Sequence, residues 1–328
     1  MIVNPKKEDR KTCLVLNSGV LKYKAKIDYL GVIVSDSGLL KIDVKSFTDK
    51  KNGNVSVKFT NFCKVNKNAP LHVKLDVLDK CAKASLIYAC ETWGPNMSDV
   101  ERCYKTGLKT ALNVRQNLNN EIVHIETGKM PLRVQIKSLQ LKFWKQMNTY
   151  ITENPQSALA KVYRLGVKEK SSYLKYYQKL EREFVKPEAC EEILEKEILD
   201  SYREKIERQH SNDCDSKLGT YLRINPELKS YVPKPQTITE AEREIVTRYR
   251  TGSHSLAIET GRYSNTPREN RLCSCGTGVQ TIFHVFKNCP ITNPLLRDVP
   301  PNLEDIFKDE SIHITCLAIT KKLKIQLW

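Results

Sequence analysis

No run of apolar residues in this sequence is long enough to cross a bilayer. The longest uncharged stretches, such as Ala84 to Cys90 and Ile312 to Thr320, fall well short of the ~18–20 residues a spanning helix needs. The opening segment, Met1 to Lys11, carries Lys6, Lys7, Glu8, Asp9 and Arg10 with no apolar segment behind them, so no secretory leader is expected. Three signatures of nucleotide or acyl chemistry are also missing: a Walker loop, G-x-S-x-G, and G-x-G-x-x-G in a strand–helix setting. No two aspartates are adjacent anywhere. Internal repeats and low-complexity segments are lacking too.

Acid is in short supply. Thirty-eight Asp and Glu face 54 Lys and Arg, a formal +16, which must be solvated or matched by an anionic partner, most commonly nucleic acid. A well-solvated lysine-rich surface is the alternative. At 40% hydrophobic and 28% charged residues the chain has the composition of a folded protein, with length for about two domains. Eleven cysteines with no export signal fit a reducing nucleus or cytoplasm, and direct attention to metal ligation rather than disulfides.

Periodicity predicts a mostly helical chain. Residues 20 to 45 read as a β-hairpin, with Ile27, Tyr29, Val32 and Val34 as β-formers and Ser35-Asp36-Ser37-Gly38 as the turn cluster. Helical spacing begins beyond residue 42. Pro70 opens a helix through Leu71, Leu75, Leu78, Ala82, Leu86 and Cys90, which Trp93-Gly94-Pro95 stops. Ser98 with Glu101 predicts a capping box, Gly128 a left-handed cap, and Pro131 the start of a helix to about Asn154. Residues 155 to 211 read as a charged helical connector broken near Gly166 and Pro187, and 212 to 236, with Pro226, Pro233 and Pro235, as the best boundary. Thr239 with Glu242 opens a further helix that Gly252 closes.

The sharpest chemical signal is Cys273-Ser274-Cys275, then eight residues, His284, four residues and Cys289. Three thiols and one imidazole match a tetrahedral structural zinc site, closed to substrate and therefore not catalytic. Chance clustering among many cysteines is the competing account. On an extended segment Cys273 and Cys275 would point to one side, and Gly276 and Gly278 would permit the reversal. Around this site lie Arg243, Arg248, Arg250, Arg262, Arg268, Arg271 and Lys287, interleaved with Tyr249, Tyr263, Phe283 and Phe286. Arginine can bind phosphate bidentately and aromatic faces can stack on unpaired bases. A solvated helix face offset by Glu240, Glu242 and Glu244 accounts for the same pattern. Cys81 and Cys90 read as core residues, and His124 and His254 as packing or capping groups. Asp213 and Asp215, flanking Cys214, read as a solvated turn.

Several phrases, in order, resemble one family. Tyr29-Leu30-Gly31-Val32 with its turn is similar to the hairpin after the palm active site of non-LTR (LINE-type, jockey-like) retrotransposon reverse transcriptases, and Lys11-Thr12 to the Lys-Thr pair upstream of it. Leu86-Ile87-Tyr88-Ala89-Cys90-Glu91-Thr92-Trp93 resembles the thumb phrase Leu-x-Tyr-Gly-x-Glu-x-Trp, with Ala89 in place of Gly. Arg250-Thr251-Gly252-Ser253-His254 with Glu259 to Arg262, then Arg271 to Pro290, resemble the family's C-terminal zinc-knuckle region. Where that region often carries acid before the histidine, this chain has Gln280, Thr281, Ile282 and Phe283.

The resemblance implies a mainly α fold in four segments. They are an end-of-palm hairpin remnant at 1–45, a helical thumb-like region at 46–154, a connector and loop at 155–236, and a zinc-knuckle region at 237–328. It implies structural zinc on Cys273, Cys275, His284 and Cys289. The implied partner is RNA or DNA, single-stranded or hybrid, at Arg248, Tyr249, Arg250, Arg262, Tyr263, Arg268, Arg271 and Lys287. Neither a membrane nor a small-molecule substrate is expected. The family's polymerase holds two metal ions on an Asp-Asp loop and a further Asp; without that pair no catalysis is expected, and the chain would be a fragment that retains nucleic-acid contact. Two alternatives stand beside this: the C-terminal part of an active polymerase, and a co-opted RNA-binding protein or inert relic.

Overall fold

The computed structural model describes residues 13–16, 19–29, 32–35, 40–184, 187–212, 216–233, 238–296, 300, 302–309 and 311–325. Helices dominate. Ahead of them β1 (Cys13–Leu16) pairs antiparallel with β2 (Gly19–Lys22), and β3 (Lys26–Tyr29) with β4 (Val32–Ser35). The expected hairpin is therefore displaced: Tyr29 pairs with Val32, so its strands are separated by Leu30 and Gly31 and not by the Ser35–Gly38 cluster. Positions 36–38 of that cluster, Lys11-Thr12 and Asp213-Cys214-Asp215 lie outside the described residues. The β1–β2 hairpin was not foreseen.

The helices are α1 (Leu40–Val65), α2 (Leu71–Val77), α3 (Ala84–Ile87), α4 (Ser98–Leu112), α5 (Asn120–Thr127), α6 (Leu132–Glu153), α7 (Ala158–Lys168), α8 (Ser172–Glu183) and α9 (Pro187–Asn212). They continue with α10 (Lys217–Ile224), α11 (Glu240–Thr251), α12 (Ala257–Tyr263), α13 (Leu303–Lys308) and α14 (Ile312–Lys322). A π-helical segment, Leu78–Lys83, joins α2 to α3. Pro70 and Pro131 immediately precede their helices, and Gly128 and Gly252 end α5 and α11 in the left-handed region at φ 63° and 68°. Thr239 and Glu242 form the reciprocal capping box. Glu101 goes elsewhere than expected. Its carboxylate accepts from the Arg133 amide at 3.0 Å, capping the first turn of α6 instead of its own helix. α7 runs through Gly166, and α10 occupies part of the stretch 212–236 that looked irregular. Among the described residues no helix is long and apolar enough to cross a membrane.

The chain divides into two compact units that interleave along the sequence. The first comprises 1–58, 80–104 and 131–195. There Trp144, Leu174 and Tyr177 are buried against Tyr163, Tyr173 and Tyr176. This aromatic cluster grips the turn after α3. Gln140 of α6 donates to the carbonyls of Cys90 and Gly94, both at 2.8 Å, while Tyr173 and Tyr177 of α8 donate to that of Glu91. A sharp turn thereby has its carbonyls satisfied away from water, as buried backbone requires.

The second unit comprises 59–79, 105–130 and 196–328. Its core gathers Ile224, Ile245, Val246, Tyr249, Phe307 and Ile319 from α10, α11, α13 and α14. It also takes in Ile282, Val285 and Phe286 from the segment between Cys275 and Cys289. The Cys/His segment is therefore attached to the main core, and is no separate appendage.

Candidate metal centre and basic surface

Cys273, Cys275, His284 and Cys289 converge. One donor atom from each lies within 4.8 Å of all the others. The first two arrive on a turn and not, as alternation along a strand would have it, on an extended segment. Leu272 bridges Val279, Cys273 N–H donates to Gly278 carbonyl at 2.8 Å, and Gly276 N–H donates to Cys273 carbonyl at 2.9 Å. Gly276 has φ 74°, a conformation costly to any residue with a Cβ. Gly278 has no positive φ, so of the two glycines singled out only Gly276 is needed for the reversal.

The other pair is placed by a π-helical turn, His284–Asn288, in which Cys289 N–H donates to His284 carbonyl at 2.9 Å. Five residues along an α-helix leave two side chains about 140° apart; the wider turn closed by an i→i+5 bond narrows that angle. That is how a five-residue step delivers both groups to one point. Thr292 ties down the exit of this turn, its hydroxyl donating to Val285 carbonyl at 2.6 Å.

The separations suit a tetrahedral ion. Cys273 and Cys289 sulfurs are 3.7 Å apart, and Cys275 sulfur is 3.2 Å from His284 Nε2. Metal–sulfur bonds of about 2.3 Å in a tetrahedron give sulfur–sulfur edges of roughly 3.7 Å, far beyond a disulfide. Thiolate acceptors are also provided with donors: Thr277 N–H points at Cys275 sulfur at 3.5 Å, and Gln280 Nε2 lies 3.9 Å from Cys273 sulfur. Burial pushes the Cys273 thiol up to about 11. Slight burial acts the same way on Cys275, but hydrogen bonds from Thr277 and His284 outweigh it and hold that thiol down at about 6. The four side chains can hold a metal ion.

The expected nucleic-acid residues divide into two groups. Arg248, Tyr249 and Arg250 are buried and turned to internal use, which corrects their expected place on the surface. Arg250 grips Glu126 and lies over Tyr231 with 4.5 Å to the ring centroid. Arg248 donates to Asn113 carbonyl at 3.3 Å and pairs with Glu244. Tyr249 packs edge-on against Phe286 and shares a hydrogen bond with Thr320. Arg243 is likewise buried, between Glu240 and the carbonyl of Leu112. The core-facing side of α11 was disguised by charge, because its arginines are paired both with acids of the same helix, Glu240 and Glu244, and with remote partners, the Leu112 and Asn113 carbonyls and Glu126.

Nearer the surface are Arg262, Tyr263, Arg268, Arg271 and Lys287. Arg271 has an internal task as well. Its guanidinium donates to the carbonyls of Thr266 and Ile258 at 2.9 and 3.0 Å, fastening α12 and the turn after it to the segment that leads into Cys273. A Cβ on Gly261 would stand 2.6 Å from its Cγ, so glycine there makes room for it. Lys287 donates to Pro300 carbonyl. Arg262 pairs with buried Glu259, and Tyr263 and Arg268 are exposed.

Three contributors escaped the sequence reading. Gln280 accepts from Ala257 N–H at 2.7 Å while its amide faces Cys273, tying the metal centre to α12. Arg115 and Asn117, from the loop between α4 and α5, both reach Tyr263. No spacing rule links positions nearly 150 apart; only the fold does. No family model matches the chain, and no curated protein or solved structure is similar to it.

Proposed function

We propose that the chain is a zinc-stabilised binder of single-stranded nucleic acid, akin to the C-terminal part of a non-LTR retrotransposon reverse transcriptase and without polymerase chemistry of its own. The observation that carries this reading is the convergence of four donor atoms, three sulfurs and an imidazole nitrogen, within 4.8 Å. Three thiolates with one imidazole are a preferred set for zinc, and four protein ligands leave no position for a reacting water. The ion would therefore be structural, held by Cys273, Cys275, His284 and Cys289. Beside it the excess of base over acid, a net +16, favours phosphate, and Arg262, Arg268 and Lys287 lie on the same segment. Polymerase chemistry requires clustered carboxylates for two metal ions, and no Asp-Asp pair occurs in the sequence.

The test uses the full chain. Purified protein should hold close to one zinc per chain, and Cys289→Ser should lose it. Binding to single-stranded RNA should show little sequence preference, with log affinity falling against log salt by about 0.7 per phosphate neutralised. Primer extension on an RNA template with magnesium or manganese should give no product. Template-dependent extension, or affinity and salt slope unchanged after zinc is lost, would overturn the corresponding part of the reading.

A further inference from the structure

Tyr263 combines exposure with fixed neighbours. It ends α12 with 51% of its surface exposed, yet its ring does not hang loose. The Arg115 guanidinium lies over the ring, 4.8 Å from the centroid, and Asn117 Nδ2 donates to the phenol oxygen at 3.0 Å. One contact backs the ring and the other fixes its tip, so most of its freedom is already spent in the folded protein. The phenol titrates below its ordinary value: partial burial raises it, but hydrogen bonds from Asn117 and Arg115 and the fields of Lys217 and Arg115 outweigh that. The surroundings are cationic. Glu259, itself buried, is shared by Lys217 at 2.9 Å and Arg262 at 3.6 Å, one carboxylate against two cations.

An aromatic face exposed to solvent, immobilised in advance and set among cations is the arrangement that stacks on an unpaired base while the adjoining phosphate is neutralised. Tyr249 cannot serve, being 2% exposed. A tyrosine kept for packing alone would have its ring covered, and one kept for solubility would not need two groups from a distant loop to hold it. We propose that Tyr263, backed by Arg115 and Asn117, is a stacking platform for one unpaired base of a single-stranded nucleic acid. This rests on the nucleic-acid reading above and adds to it a single base-contacting residue.

The experiment compares two fluorescein-labelled strands of equal length and charge, one an oligouridylate and the other carrying abasic sites throughout, titrated with the zinc-loaded full chain. The bases should tighten binding about tenfold. Tyr263→Leu should abolish that difference while leaving abasic affinity and the salt slope where they were; Tyr263→Phe and Tyr263→Trp should keep most of it. Because the side chain is exposed, an unchanged melting temperature in Tyr263→Leu checks that the fold is intact. Equal affinity of the wild type for both strands overturns the platform but leaves phosphate binding standing. So does a base preference that survives Tyr263→Leu and disappears in Phe283→Leu, Phe283 being the other exposed ring nearby, 43% exposed. Failure to bind either strand overturns the nucleic-acid reading itself.

Discussion

Arg250 holds Glu126 by three hydrogen bonds of 2.8, 3.1 and 3.1 Å, with the carboxylate wholly buried and the guanidinium nearly so. Tyr221 donates to Oε1 of the same carboxylate at 2.9 Å, so Oε1 accepts from three donors and Oε2 from the Arg250 Nε alone. A buried pair of this kind contributes little over an apolar replacement of both members, but loss of one member strands the other's charge. Arg250→Met should therefore lower stability by about 3–5 kcal/mol, and Glu126→Gln by a smaller amount because the amide still accepts from Tyr221. Chemical denaturation reads this directly. If Arg250 instead met phosphate at the surface, Arg250→Met would fold normally and make the salt dependence of RNA binding shallower, a result incompatible with the geometry.

Ala89 sits in the left-handed region at φ 60°, just before the short 3-10 turn Cys90–Thr92. The turn is held there by Gln140, Tyr173 and Tyr177, whose hydrogen bonds fix the Cys90, Glu91 and Gly94 carbonyls. A Cβ in that conformation costs roughly 1–2 kcal/mol, whereas glycine gives back about 0.5–1 kcal/mol through a freer unfolded chain. The first effect wins. Ala89→Gly should raise stability by about 0.5–1 kcal/mol, seen as a higher urea midpoint with unchanged slope. A lower midpoint would mean that Ala89 does not hold this conformation in solution.

His254 is buried, and its Nδ1 accepts from Leu256 N–H at 3.2 Å. Burial first, then the neighbouring charges of Lys217, Arg115 and Arg262, lower its pKa to about 3. Unfolded, the same imidazole protonates near 6.5. Between those values the unfolded chain binds the extra proton, so stability must fall as pH drops from about 6.5 toward 3, by up to ~1.4 kcal/mol per pH unit. His254→Asn keeps an acceptor for Leu256 N–H and removes the titration. Its stability should change less with pH between 6.5 and 5 than that of the wild type; identical slopes would count against a neutral, buried imidazole. Protonation of Cys273, Cys275, His284 and Cys289 is common to both proteins and cancels in the comparison.

Much of this was legible in the sequence wherever a local rule decides the structure. Pro70, Pro131, Gly128, Gly252 and the Thr239–Glu242 box mark helix ends through backbone sterics and hydrogen bonding within four residues. That Cys273, Cys275, His284 and Cys289 form a group able to hold a metal ion could be read from residue type and spacing, but not its local geometry: a turn and a π-helical step, rather than a strand and an α-turn, bring the four groups together. What local pattern did not reveal is which charged side chains face inward. Arg248 and Arg250 belong to a basic run, yet each points inward to a partner on a remote segment, Asn113 or Glu126, which no local pattern can announce. Glu101 failed for a related reason. Its capping role is satisfied by the Arg133 amide, which the fold brings close. Tyr263, an aromatic among arginines in the sequence, is exposed, while Arg115 and Asn117, which contact it, come from a loop with no signal of its own.

Removing the metal should loosen one part of the molecule and leave another alone. Ile282, Val285 and Phe286 enter the core of the second unit from between the ligands, and Gln280 joins the centre to α12. Binding energy at such a site is folding energy for the segment that carries it. With a chelator, amide exchange should quicken across 256–296, while α6 and α8, whose packing around Trp144 and Tyr177 involves no ligand, keep their protection. The same logic separates two glycines. Gly276→Ala places a Cβ at φ 74° and should cost about 1 kcal/mol, read as weaker zinc retention against a competing chelator. Gly278→Ala should be close to neutral, since its Cβ would meet His284 Nδ1 at 3.5 Å, an ordinary contact. Equal zinc retention by the two alanine variants would show that the Cys273–Gly278 turn is not formed as described. Uniform loosening of α6 and α8 on chelation would show that the metal stabilises far more than the segment that binds it.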